Sequence, residues 1–144
     1  MKAINMMKLS FYSRSVNEGF ARGALAAFLA QADPTVPELA DIKTAVSEAV
    51  TNCIVHAYPR QVGMVYLTAA LYEDGTAKIT VADKGVGMED INKAMEPMYT
   101  TGDPEERAGL GFAVMQSFMD QIKVSSKPGK GTRVVMRKRL QAKQ

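Results

Sequence analysis

Ser47-Glu48-Ala49-Val50-Thr51-Asn52 lies late in an amphipathic helix, and how that helix is covered decides the fold. Upstream, Thr35-Val36-Pro37-Glu38 has the form of a capping box with proline just inside the first turn, which fixes the helix start. Leu39, Ile42, Val46, Ala49, Val50, Cys53 and Ala57 then keep to one face. Successive helical residues turn by about 100°, so Glu48, Asn52 and His56 form a polar stripe roughly opposite Val46 and Ala57. Taken alone, such a stripe reads as solvated surface. The apolar face, by contrast, demands a second layer.

The strands on either side supply it. Met7, Leu9 and Phe11 alternate with polar neighbours, as in a strand with one buried face. Ser15-Val16-Asn17-Glu18 fits another capping box and opens a helix carrying Phe20, Ala24, Ala27 and Phe28, which Asp33-Pro34 ends. After Tyr58-Pro59-Arg60, residues 62–72 and 76–83 read as strands joined by Glu73-Asp74-Gly75, a hairpin. Residues 90–95 suit a short helix, 96–109 have no periodicity, and 110–121 are helical with Phe112, Met115 and Met119 on one side. Strands at 124–127 and 132–140 flank Pro128-Gly129-Lys130-Gly131. The order predicts an α+β fold: a two-layer α/β sandwich whose mixed, mostly antiparallel sheet is covered on one face by helices.

Composition bounds the rest. A chain of 144 residues with 47% hydrophobic and 23% charged content is expected to form one globular domain over 1–144. No run approaches the roughly 20 apolar residues of a membrane span, and no signal peptide is evident, so a cytoplasmic protein without membrane contact is expected. The single cysteine, Cys53, excludes an internal disulfide and reads as core packing. From Lys123 onward there are eight Lys or Arg and no acid, whereas residues 1–122 carry ten basic and fifteen acidic groups. Those cations interleave with a strand pattern, which favours a solvated sheet face over a nucleic-acid surface.

Two glycine-hinged segments give the polar stripe company. Asp83 ends an alternating strand, and Gly85 and Gly87 in Asp83-Lys84-Gly85-Val86-Gly87 permit close approaches that a side chain would block. A carboxylate there can accept from the exocyclic amine of adenine. Gly109-Leu110-Gly111 is read as standing at a helix start, where free N–H groups and the helix dipole favour an anion such as phosphate. Each motif is common by itself.

In this order they resemble the Bergerat-type (GHKL) ATP-binding domain shared by gyrase, mismatch-repair proteins, chaperones and histidine kinases. Glu48 to Asn52 is similar to that family's N box, Asp83 to Gly87 to its first glycine box, Gly109 to Gly111 to the second and Gly129 to Thr132 to the third, with 96–109 as the ATP lid. The small size and Tyr99-Thr100-Thr101 and Phe118-Met119-Asp120 resemble the anti-sigma-factor serine kinases of spore-forming bacteria, the sporulation (sigma F) kind more than the stress-response (sigma B) kind. Such proteins bind a sigma factor and phosphorylate a serine of an anti-anti-sigma antagonist.

The resemblance implies roles for ATP or ADP with Mg2+. Asn52 would hold the metal, Glu48 would act as base toward the substrate serine or position it, and Arg107 would reach the γ-phosphate. Asp83 and Thr132 would read adenine, Gly85 and Gly87 shape its pocket, and Gly109, Leu110 and Gly111 cradle phosphates. Met88 and Ile91 belong either to the base pocket or to the core. Thr51, Glu18 and Arg22 would contact partner proteins, and a homodimer without direct nucleic-acid binding is expected. His56 is read as structural. Lys84 inside the first glycine box and Gly102 after the two threonines depart from the family pattern. Two alternatives remain: a nucleotide-gated module without kinase activity, and a basic nucleic-acid-binding domain built on 123–143.

Overall fold

The expected alternation at Met7, Leu9 and Phe11 continues through a ten-residue strand, β1 (Ala3–Tyr12). The structure, a computed structural model, describes residues 2–89 and 104–141, with side chains in the second stretch described from Gly111 onward. After β1 come α1 (Val16–Leu29), a short 3-10 turn (Ala30–Ala32), α2 (Val36–Asn52) and a π-helical segment (Cys53–Ala57). The hairpin β2 (Met64–Tyr72) and β3 (Thr76–Asp83) follows, then α3 (Pro104–Phe118), β4 (Gln121–Lys127) and β5 (Gly131–Arg139).

The strands form one sheet in the order β1-β2-β3-β5-β4. Expected to be mixed and mostly antiparallel, it is antiparallel at each of its four pairings among the described residues. Helices cover one face. Period two aims Leu67 and Ala69 of β2, Ile79 and Val81 of β3, and Val134 and Met136 of β5 into that layer, where they pack with Leu25, Ile42, Val46, Val50, Phe112 and Met115. All twelve are 5% exposed or less, so one core fixes the helices to the sheet.

The second capping box forms as read. Thr35 Oγ1 accepts from Glu38 N–H at 3.2 Å, and Glu38 Oε1 accepts from Thr35 N–H at 2.8 Å. The other Glu38 oxygen accepts from Gln141 N–H at 2.7 Å, tying the start of α2 to the end of the sheet. Burial of Glu38 acts to raise its carboxyl pKa, but the bonds from Thr35 and Gln141 and the nearby Lys138 charge prevail and hold it below the ordinary value.

Other expectations are corrected. Ser15 does not cap α1: its backbone is already α-helical (φ −58°, ψ −32°), and its side chain makes no cap bond. Backbone carbonyls satisfy the entry instead, Asn17 N–H bonding Arg14 and Glu18 N–H bonding Ser15. The last helix begins at Pro104 rather than at 110 and ends at Phe118, so β4 starts at Gln121. Proline at a first helical position followed by Glu105 and Glu106 is a favourable start that the aperiodic reading of 96–109 passed over. The short helix read at 90–95 and the lid residues 96–103 lie outside the described residues.

Candidate functional site

Several elements converge on one cavity of about 230 Å3 between the helices and the end of the sheet. From α2 and the π-segment come Ala49, Asn52, Cys53 and His56; from the first glycine box Asp83 and Gly87, with Met88 just after it; from α3 and β5 Phe112 and Thr132.

Asp83 closes the inward stripe Ala77, Ile79, Val81, so strand periodicity alone carries a carboxylate into the core layer. It is 8% exposed and stands opposite Thr132 across the β3–β5 ladder. Its Oδ1 accepts from Gly85 N–H at 2.9 Å and Thr132 N–H at 3.2 Å, which compensates a buried charge with charge-assisted bonds. Cys53 shares this corner. Burial first, then the Asp83 charge and a hydrogen bond to Asp83, push its thiol well above the ordinary range, so it remains an S–H donor. Cys53 belongs to the buried core, as read, and also borders the cavity.

The first glycine box is shaped by two backbone approaches. A side chain at Gly85 would run into the Ala57 carbonyl, which accepts from Val86 N–H at 2.9 Å. Gly87 has φ +71° and lies against the Lys127 carbonyl, while Gly129 N–H bonds Val86 at 2.7 Å. Tyr58 bolts the loop from below: its hydroxyl accepts from Lys84 N–H at 2.8 Å and donates to the Met64 carbonyl at 2.7 Å. Ser126 does the same from the side. Its Oγ accepts from Met88 N–H at 2.9 Å, donates to the Gly131 carbonyl at 3.0 Å and lies 2.8 Å from Thr132 Oγ1. Sequence reasoning missed both residues, because their partners are local to them only after the sheet has paired.

Glu48 and Asn52 meet the backbone of α3. A Cβ built on Gly111 would sit 3.1 Å from Asn52 Nδ2, 3.3 Å from its Oδ1 and 3.4 Å from Glu48 Oε2, so the glycine lets α3 close onto both side chains. Asn52 Nδ2 is buried without a hydrogen-bond partner among the described residues, a polar group facing a cavity with nothing to satisfy it. That arrangement fits a polar ligand. No three His, Cys, Asp or Glu side chains converge as a metal cage among the described residues. A cation here would therefore rely on the Asn52 amide oxygen and on a ligand's own phosphates, the coordination a small hard cation accepts. The π-segment also places His56 on the cavity wall with Asn52.

Gly109-Leu110-Gly111 does not stand at a helix N-terminus. These are the sixth to eighth residues of α3, past the first four whose N–H groups lack helical partners. The side chains of Arg107 and Leu110 lie outside the described ones. Thr51 is exposed one residue before Asn52, and a half-buried Glu18 pairs with an exposed Arg22 on α1 with 3.7 Å between Oε1 and Nη1. None of these three lines the cavity.

Residues 13–138 match the family model of the histidine kinase-like ATPase domain. The anti-sigma F factor of Caldanaerobacter subterraneus subsp. tengcongensis is 57% identical over 138 residues, 96% of each chain. This chain belongs to the histidine kinase-like ATPase family, among the anti-sigma F factors. The anti-sigma F factor of Clostridium acetobutylicum is 51% identical over 136 residues, 94% of each chain. The crystal structure of the RsbU and RsbW domains of a Mycobacterium tuberculosis protein shares the fold, with a TM-score of 0.71 at 22% identity over 94% of this chain and 32% of that one. Family membership makes this an ATP-using kinase domain. No helix among the described residues is long and apolar enough to cross a membrane.

Proposed function

We infer that this protein is a cytoplasmic anti-sigma factor and serine-protein kinase, which holds a sporulation sigma factor of the sigma F kind and uses Mg-ATP to phosphorylate a serine of its anti-anti-sigma antagonist. One observation carries the reading: a carboxylate and an unsatisfied amide, Glu48 and Asn52, both approach Gly111, and Asn52 lines a cavity that also holds the buried Asp83. A binding module needs the amide and Asp83. Phosphoryl transfer also needs a group to orient or deprotonate the attacking oxygen, and a carboxylate beside them supplies it.

Asp83, fixed by Gly85 and Thr132, presents an acceptor to the amine edge of adenine, and Thr132 and Met88 border the base. When bound, Mg2+ neutralises phosphate charge; Asn52 would hold it. Glu48 takes the proton of the incoming serine hydroxyl or orients that hydroxyl for in-line attack. Arg107 approaches the γ-phosphate. Gly109, Leu110 and Gly111 offer N–H groups to phosphates once the first turns of α3 open. Thr51, Glu18 and Arg22 meet the partner proteins, and the working unit is a homodimer that contacts neither nucleic acid nor membrane.

The regulatory half is tested by transcription. Added to RNA polymerase carrying the sigma factor, the protein with ATP should suppress run-off transcripts, and excess unphosphorylated antagonist should restore them. Transcription that continues at full level at saturating protein would overturn it.

A further inference from the structure

Three polar side chains line the cavity where β3 ends, Cys53, Asp83 and Thr132, and the protons between them can be counted. The Asp83 carboxylate only accepts: Oδ1 takes the Gly85 and Thr132 N–H groups, and the Cys53 S–H is hydrogen-bonded to the same carboxylate. Thr132 stands directly opposite Asp83 across the β3–β5 ladder, so the two side chains leave the sheet on one face. What Thr132 offers a ligand there depends on where its single hydroxyl proton points.

Ser126 decides that. It pairs with Thr132 across the β4–β5 ladder and is not itself part of the cavity wall. Its Oγ makes three contacts: Met88 N–H at 2.9 Å, the Gly131 carbonyl at 3.0 Å and Thr132 Oγ1 at 2.8 Å. A hydroxyl has one proton and two lone pairs. The Met88 N–H can only donate and fills one lone pair, and the Gly131 carbonyl can only accept and takes the proton. The third contact then closes when the Thr132 proton enters the second lone pair of Ser126. With Ser126 donating to Thr132 instead, the Gly131 contact would have no proton. A single assignment therefore serves all three contacts, and in it Thr132 meets the cavity as an acceptor with its proton held behind it.

We propose that Ser126 is a specificity-determining positioning residue for the nucleobase: by holding the Thr132 proton it makes the edge formed by Asp83 and Thr132 accept only, and that edge selects a base with an exocyclic amine over one with a carbonyl in its place. The proposal rests on the reading of Asp83 and Thr132 as the border of adenine. An amine brings two N–H donors to two acceptors, whereas a carbonyl sets a third acceptor against them. The selection is thus built by a residue that never touches the base, through a hydrogen bond between two adjacent strands.

The test titrates the full chain with ADP and with inosine diphosphate, which bears a carbonyl where adenine has its amine. Wild type should prefer ADP. In Ser126→Ala the Thr132 proton is released and turns to the carbonyl, so inosine diphosphate should bind about 2- to 13-fold more tightly than it binds wild type, the worth of one neutral hydrogen bond. ADP affinity should be unchanged or lower, because Met88 N–H also loses its acceptor. Loss of mechanical support alone would weaken both nucleotides and tighten neither. Ser126→Thr, which keeps a hydroxyl, should restore the wild-type ratio, and adding Thr132→Val to Ser126→Ala should abolish the gain. If Ser126→Ala does not fold, Ser126→Cys keeps the volume with a poorer acceptor and should shift the ratio in the same direction. An unchanged ratio, a ratio that falls only through lost ADP binding, or a gain that persists without the Thr132 hydroxyl overturns the proposal. Asp83→Asn separates this failure from that of the underlying reading. ADP affinity unaffected by Asp83→Asn sinks both; ADP affinity lost there, with inosine diphosphate binding unmoved in Ser126→Ala, sinks the proposal alone.

Discussion

Replacing Asp83 by asparagine changes one oxygen to an amide nitrogen at nearly constant volume, and its consequences follow from the bonds that the carboxylate makes. Oδ1 accepts from Gly85 and Thr132 N–H groups, and asparagine can accept both, but without charge assistance. Hydrogen bonds to charged groups are worth about 1.5–3 kcal/mol and neutral ones about 0.5–1.5, so the two together lose about 2 kcal/mol. For a domain of this size that lowers Tm by about 8 °C. The ligand side changes more sharply: an acceptor facing the adenine amine becomes a donor facing a donor. A mismatch of about 1–3 kcal/mol weakens ADP binding by about 5- to 150-fold. Isothermal titration should show that loss, and wild type should prefer ADP over inosine diphosphate, which lacks the amine, whereas Asp83→Asn should not. A variant that is destabilised but binds ADP as wild type does would refute the reasoning and reduce Asp83 to a structural cap.

Gly111→Ala separates catalysis from stability. Alanine in a helix interior gains up to about 1 kcal/mol over glycine, enough to offset mild crowding, yet its methyl would push on Asn52 and Glu48. Thermal melts should therefore be unchanged or higher while phosphoryl transfer falls about tenfold or more; unchanged transfer would mean that the close approach of α3 is incidental. Thr35→Ala removes a cap bond and should cost about 1 kcal/mol in urea unfolding without altering ADP affinity. Glu38 governs an acid limb of stability. Its folded pKa lies below the ordinary 4.5, so its contribution is complete above that value and is lost as pH falls through the lower folded one. Unfolding free energy of Glu38→Gln should be lower than wild type at neutral pH and should fall less steeply on acidification.

Much of the architecture was legible because it is local. Thr35 and Glu38 satisfy each other three residues apart, and the alternation in β1, β2 and β3 is continuous. Ser15 shows the limit of the same signal: its residue types match a capping box, but an α-helical Ser15 turns the hydroxyl away and leaves the entry to backbone carbonyls. The start of α3 was hidden because 96–109 shows no periodicity, although proline at a first helical position is a start signal. The π-turn at Cys53–Ala57 was not legible, since apolar spacing is too coarse to distinguish it from a continuing α-helix over five residues. Asp83 and Thr132 could be named from their motifs, but their bond spans 49 residues and depends on the β3–β5 register. Ser126 and Tyr58 carry no motif, and only strand pairing reveals them as the supports of the glycine loop.

The central claim is that Glu48 acts in phosphoryl transfer and not in nucleotide binding, and the measurement that tests it most directly compares wild type with Glu48→Gln on the antagonist. With ADP affinity first shown equal, γ-labelled ATP and Mg2+ should yield phosphoserine on the antagonist from wild type, and at least about a hundredfold less from the variant. Serine phosphorylation by Glu48→Gln at the wild-type rate, or none from wild type itself, would contradict the account.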